Sequence, residues 1–190
     1  MITEADLQAQ LTELVAQSGA LQTGHFLLAS GLHARRFFRC IQLFRDPRAA
    51  EILFAALAER FASHPVEVVL GANEAGSILA FGLAARLQAK LAIARQQDGV
   101  YHLIEGFTLL PHSRILVVDD ITTTGGTVNQ LLHLVRTAGA TPVGVGLIAS
   151  KGLFDIDLGC PSEVLLPLES MDAIPPDQCP LCRAGVPLST

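Results

Sequence analysis

The sequence predicts an α/β fold with a mostly parallel central sheet flanked by helices. Short β-branched runs alternate with helical patterns from about residue 66 onward, which is the rhythm of βαβ units. Those runs (VEVVLG, RILVVDD, PVGVGLIAS) are apolar almost without interruption, as strands are when helices cover both faces of a sheet. Half of the 190 residues are hydrophobic and 16% are charged, enough for one domain with a substantial core.

Each element has a local reason. Residues 3–18 have helical spacing. Residues 21–43 mix alternating apolar positions, a Ser-Gly turn and several arginines, and read as short strands and turns. A helix over 45–62 starts at Asp46 as N-cap with Pro47 in the first turn. Strand 66–71 leads to helix 74–89, then to strand 90–94. Residues 95–110 have weak periodicity and hold a loop or hairpin. Strand 114–120, helix 125–140, strand 142–150 and strand 163–169 follow. The Pro-rich end, DAIPPDQCPLCRAGVPLST, reads as an extended tail lying on the domain.

Composition excludes several classes of function. The net charge is -5 and no basic stripe is present, so nucleic-acid binding is not expected. No apolar run approaches the roughly 20 residues that span a bilayer. The acidic, amphipathic N-terminus is unlike a signal peptide, so the expectation is a cytoplasmic protein away from membranes. In that compartment Cys40, Cys160, Cys179 and Cys182 are expected as free thiols.

The stretch ILVVDDITTTGGTVNQ, residues 115–130, carries the chemistry. In an open parallel sheet, ligands bind beyond the carboxyl ends of the strands. Asp119 and Asp120 stand at such an end. Thr122, Thr123, Thr124, Gly125, Gly126 and Thr127 form the turn into the next helix, where backbone N–H groups and hydroxyls can hold a phosphate. The acids suit hydroxyls, a divalent cation, or both. The segment therefore reads as a site for a sugar phosphate. A P-loop is excluded because G-x-x-x-x-G-K-[S/T] is absent, and GANEAG does not supply the G-x-G-x-x-G of a dinucleotide site.

VVDDITTTGGT resembles the phosphoribosyl-pyrophosphate (PRPP) motif of the type I phosphoribosyltransferases. The resemblance implies a single domain over 1–190 with a small hood, residues 1–44 and roughly 160–190 contributing to hood and tail. It also implies Mg²⁺-dependent transfer of ribose 5-phosphate to a nitrogenous base. GALQTGHFLLASGLHARRFF, VVLGANEAGSILAFGLAARL, VGVGLIASKG and CPLCRAGVPL resemble, in order, the hood, pyrophosphate loop, base-side strand and tail of orotate phosphoribosyltransferases. The implied acceptor is orotate, with another base or a non-catalytic PRPP- or nucleotide-binding regulator as alternatives.

Roles carried over residue by residue follow from that resemblance. Ala72, Asn73, Glu74, Ala75 and Gly76 would grip pyrophosphate. Asp119 and Asp120 would orient ribose hydroxyls, with Mg²⁺ nearby but held mainly by substrate. The threonine-glycine turn would hold the 5-phosphate. Phe37 and Phe38 would stack on the base or else pack in the core, and Lys151 would face the base. A homodimer is implied by the family's mobile loop, which closes over the neighbouring subunit.

Three departures stand out. Ala29 occupies a position that is basic in the family, with Arg35, Arg36 and Arg39 following as compensation or as a solvated patch. Gln96 replaces a loop lysine, leaving Arg95 and His102 to supply positive charge near pyrophosphate. Lys151 replaces an arginine, losing its bidentate fork. Separately, Cys179 and Cys182, with Cys160 or a nearby histidine, have the spacing for half a zinc site. His25, His33, His64, His112 and His133 are expected to be structural or on the surface.

Overall fold

Helix α1 (Glu4–Ser18) starts where the Thr3 hydroxyl accepts the Asp6 amide at 3.1 Å, and stops at Gly19 in the left-handed region. Strands β1 (Leu21–Leu27) and β2 (His33–Phe38) follow as an antiparallel hairpin apart from the main sheet. A 3₁₀ turn, Cys40–Phe44, leads to α2 (Pro47–Arg60). Asp46 caps α2 by accepting the Arg48 amide at 2.9 Å, a contact worth ~1 kcal/mol. This computed structural model describes residues 3–28, 30–151, 157–168 and 173–189. Ala29 and the segment just after Lys151 fall outside them.

The remaining elements alternate as expected: β3 (Val68–Ala72), α3 (Asn73–Leu87), β4 (Lys90–Gln97), β5 (Val100–Leu103), β6 (Arg114–Thr122), α4 (Gly126–Thr137), β7 (Thr141–Lys151) and β8 (Ser162–Leu168). The main sheet has the order β5-β4-β3-β6-β7-β8, parallel except where β5 pairs antiparallel with β4. Residues 95–110 thus contain a hairpin. Asp98 and Gly99 both have positive φ, the requirement of a tight two-residue turn, and this lets β4 run past residue 94. The edge strand β8 tolerates Pro167 because its outer side has no ladder to feed.

Strand alternation splits the core into two layers. Val69, Leu116, Val118 and Ile148 pack against α1, α2 and α3. Val68, Leu70, Val117, Val145 and Leu147 pack against Val128, Leu131, Leu132 and Val135 of α4. Burying one such Leu or Val contributes about 1.5–3 kcal/mol. Both faces being covered explains why these strands read as unbroken apolar runs.

The hood is smaller than the sequence suggested. The hairpin β1–β2 and residues 173–189 form it, joined by a bridge between His33 and Ile174. By contrast α1 and the 3₁₀ turn bury Leu11, Leu14, Cys40 and Leu43 in the main core, and β8 completes the main sheet. The tail is not wholly extended: it includes a 3₁₀ turn, Pro176–Gln178, and a one-turn helix, α5 (Pro180–Arg183).

Candidate functional site

The chain leaves β3 through α3 to reach β4 on one side, and later returns as β6 on the other side of β3. Such a reversal opens a crevice at the carboxyl ends of β3 and β6, where open α/β sheets bind ligands. Register places Gly71 beside Val118, so the next residues, Ala72 and Asp119, open onto the same crevice. Two helices begin there, α3 from β3 and α4 from β6, each with first-turn N–H groups that have no partner within the helix.

The first turn of α3 is sterically specified. A side chain at Gly71 would put its Cβ 2.1 Å from the Gly76 carbonyl oxygen, so only glycine lets the helix start fold back onto the strand. A Cβ at Gly76 would sit 3.1 Å from Asp119 Oδ1, which measures how closely this turn approaches the acids. Asn73 has φ 55°, a left-handed conformation that asparagine tolerates. Its carbonyl accepts from the Ser77 hydroxyl. Ala72, at the last rung of β3, and Gly76 are both buried, so the accessible donors belong to Asn73, Glu74 and Ala75, which narrows the sequence expectation.

The turn into α4 holds itself together first. Gly125 donates its N–H to Thr122 Oγ1 at 3.0 Å, and Asn129 donates to the Gly125 carbonyl at 2.8 Å as the first helical bond. Thr122 is 5% exposed, so it shapes the turn and does not present its hydroxyl to a ligand, which corrects the sequence expectation. Thr123, Thr124 and Gly126 are exposed and Thr127 is half-buried. The dipole of α4 adds positive potential at this end.

The two acids sit between these helix starts. Asp119 is 5% exposed and Asp120 is half-buried. The Asp120 amide donates to Asp119 Oδ1 at 3.0 Å. Burial, followed by the neighbouring Asp120 charge, raises the Asp119 pKa to about 8. Burial also raises that of Asp120, opposed by the Ile121 amide. Neither acid takes part in any ion pair among the described residues. Cys40 lies behind them, its Sγ 3.8 Å from the Asp120 carbonyl oxygen. Burial and then the charges of Asp120 and Asp119 push its thiol pKa up, so it stays neutral.

On the hairpin, Arg95 and His102 are cross-strand partners and both are exposed, so the two cationic candidates do come together. Tyr101, which sequence reasoning missed, lies between the helix starts: Asn73 Nδ2 donates to its hydroxyl at 2.8 Å, and Thr127 Oγ1 lies 3.5 Å from it. It is the chain's single tyrosine, and no local pattern in the sequence places its ring.

The hood and the sheet meet at Phe37. The Lys151 Nζ lies 5.7 Å from its ring centroid and the Arg39 guanidinium carbon 5.6 Å, both within cation–π range. Phe26 packs against the same ring at 5.5 Å. Partial burial lowers the Lys151 pKa. Phe38 does not share this position: it is 3% exposed, its side chain in the core beside α1 and α2, so the expectation that it stacks on a base is corrected to core packing. Strand alternation sends adjacent residues to opposite faces.

A family model for the phosphoribosyl transferase domain matches residues 42–153, and the chain belongs to that family. Its relatives include orotate phosphoribosyltransferases. It is 36% identical over 178 residues to that of Pelotomaculum thermopropionicum, covering 94% of this chain and 93% of the relative. It is 36% identical over 177 residues to that of Thermotoga maritima, covering 93% and 94%. The fold is also that of the orotate phosphoribosyltransferase structure from Aeropyrum pernix, at TM-score 0.73 and 23% identity, over 83% of this chain and 93% of that one. An adenine phosphoribosyltransferase from Rhodothermus marinus shares the fold at TM-score 0.67 and 23% identity, over 83% of this chain and 99% of that one.

Proposed function

We propose that the protein is an orotate phosphoribosyltransferase, moving ribose 5-phosphate from PRPP to orotate to give orotidine 5'-monophosphate and pyrophosphate, a step of pyrimidine synthesis. One observation carries this reading: a pair of carboxylates stands between two helix starts, each able to hold an anion. PRPP has the matching layout, with a phosphate at one end of a ribose and a pyrophosphate at the other. The relatives supply the acceptor.

In the reaction the bond from the anomeric carbon to pyrophosphate breaks and an orotate ring nitrogen takes its place. Positive charge develops on the ribose. Asp119 and Asp120 hold the ribose hydroxyls and stabilise that charge as carboxylates once a substrate-bound cation draws off the proton that burial keeps on Asp119, while the turn at Thr123, Thr124, Gly125, Gly126 and Thr127 fixes the 5-phosphate. Asn73, Glu74 and Ala75 receive pyrophosphate on backbone amides, with Gly76 buried between them and Asp119. Arg95 and His102 stand beside it as the basic side chains of a segment, residues 94–107, that has no lysine. The adjacent acids, unpaired with any described cation, fit a divalent ion, and substrate-bound Mg²⁺ would offset the charge of the departing pyrophosphate. Phe37 offers a face to the flat base, and Lys151 a charge to its carboxylate.

Two further features support the wider reading. Helix α3 is apolar nearly all round, yet Ile78 is 40% and Phe81 66% exposed, which fits a homodimer that covers them. No helix among the described residues is long and apolar enough to cross a membrane, and all four cysteines are free, which fits the cytoplasm. The test is loss of orotate absorbance on mixing the protein with Mg²⁺, PRPP and orotate. Pyrophosphate release with a different base, and none with orotate, would reassign the acceptor. Absence of PRPP binding would sink the reading altogether.

A further inference from the structure

Four side chains that the transfer reaction does not use converge in the hood. His25 comes from β1, His33 from β2, and Cys179 and Cys182 from the tail, 154 residues beyond His25 in the case of Cys179. Their ligand atoms all lie within 4.8 Å of one another. His25 Nε2 is 2.8 Å from His33 Nδ1, and 3.6 Å from both Cys179 Sγ and Cys182 Sγ. His33 Nδ1 is 3.2 Å from Cys182 Sγ. Zinc bonds of ~2.0 Å to nitrogen and ~2.3 Å to sulfur at tetrahedral angles place nitrogens ~3.3 Å apart and nitrogen and sulfur ~3.6 Å apart. The two distances from His25 to sulfur match one tetrahedral shell, and the two contacts of His33 are shorter, a cluster that a bound ion would open slightly.

The surroundings aim these atoms inward. The His25 Nδ1–H donates to the Val186 carbonyl at 2.7 Å, which leaves Nε2 with its lone pair facing the other three. The backbone of His25 is itself tied down: its carbonyl accepts from the Ser189 amide at 2.6 Å, and its amide donates to Ser189 Oγ at 3.1 Å. His33 exchanges two backbone bonds with Ile174, both 2.8 Å. Cys179 caps the single turn of α5 and Cys182 is its third residue, so the C-x-x-C spacing brings both sulfurs to one side. His25, His33 and Cys179 are buried, while Cys182 is exposed, a closed shell with one edge to solvent.

We propose that His25, His33, Cys179 and Cys182 bind one zinc ion that clamps the C-terminal tail onto the hood hairpin. Two thiolates and two imidazoles in tetrahedral array suit zinc, and four protein ligands make the site structural, with no open position for substrate. On binding, Zn²⁺ takes two neutral imidazoles and two cysteines, whose two thiol protons go to solvent, leaving a neutral centre. The hood has a physical need for such a clamp. An isolated two-stranded hairpin is marginal in water, and the tail contributes only one bridge, a 3₁₀ turn and a single helical turn. Cys160, considered from the sequence, takes no part and packs beside the α4 core layer.

The clamp also reaches the base side. Phe26, next to His25, packs on Phe37, whose ring faces Lys151. Fixing β1 to the tail therefore fixes the aromatic that closes over the base.

The test uses the full chain, untagged and purified without chelator. Elemental analysis is expected to give one zinc per chain. Replacement by Co²⁺ is expected to give tetrahedral ligand-field bands with thiolate charge transfer. Cys182→Ser, at the exposed ligand, should lower zinc content and melting temperature while circular dichroism keeps the native secondary structure. Asp119→Asn should keep its zinc, since the acids are a separate site. The proposal fails if reduced, folded protein takes up no zinc in competition with a chromophoric chelator, or if Cys179→Ser/Cys182→Ser binds as much as the parent. It fails equally if zinc disappears with Asp119→Asn, which would assign the ion to the crevice.

Discussion

The crevice and the hood build their sites in opposite ways. The crevice draws its acids and its threonine-glycine turn from one unbroken segment, and the sheet only has to bring the α3 turn beside it. The hood collects four side chains from three separate segments, the outermost 157 residues apart. The crevice holds two acids together and relieves their repulsion with a proton: burial and then the Asp120 charge raise the Asp119 pKa to about 8. The hood collects soft, neutral-or-anionic donors whose proximity is relieved by a metal. A contiguous site follows from local order once the strand ends correctly. An assembled site depends on the whole topology being right.

Substitution in the crevice should have the largest effect and should leave the hood alone. Asp120→Asn is expected to lower turnover about 10²–10³-fold, the loss typical of removing one preorganised charge-stabilising group. An unchanged rate in the orotate absorbance assay would remove this acid from the chemistry. Gly71→Ala forces a Cβ against the Gly76 carbonyl oxygen and is expected to cost about 1–3 kcal/mol in urea unfolding, with activity falling alongside. Parent-like stability would mean the α3 turn can move away.

Acidity gives a graded contrast. Asp119 has a folded pKa of about 8 against an ordinary value of 3.8, so between those values the folded chain holds a proton that the unfolded chain has released. Stability of the ligand-free protein should therefore fall as pH rises through that window and level off above it. Melting curves should show a shallower slope in Asp119→Asn; an identical slope would locate the pH dependence elsewhere. Smaller still, Tyr101→Phe removes a hydroxyl that bonds Asn73 and is expected to weaken PRPP binding by ~1 kcal/mol, with little change in melting temperature. Phe37→Ala should raise the KM for orotate more than that for PRPP. An equal rise in both would tie Phe37 to hood packing alone.

Much of the fold was legible in the sequence because apolar strands and capped helices alternate. Asp46 and Pro47 start α2 where local chemistry requires. Asp119, Asp120 and the turn after them were legible for the same reason. Phe37 and Phe38 could not be separated from sequence, since both are aromatic and only the register of β2 decides which faces the core. Thr122 looked like its neighbours until the turn closed on its hydroxyl. The histidines had a faint signal: His25 and His33 flank a Ser-Gly turn, and two cysteines elsewhere were missing two partners. Tyr101 had none, because its contacts come from the strand order of the sheet.

That tyrosine has a consequence for substrate choice. Its hydroxyl touches Asn73 at one helix start and lies near Thr127 at the other. It therefore works as the fixed bar of a caliper, setting the gap between the jaws before any sugar arrives. If the two helix starts hold the two ends of PRPP as proposed, a pentose carrying only the 5-phosphate would fill one jaw and be held loosely. A sugar whose two anionic ends are too close together or too far apart would fit neither jaw when the other is engaged. Length, as well as charge, would then be a criterion for admission.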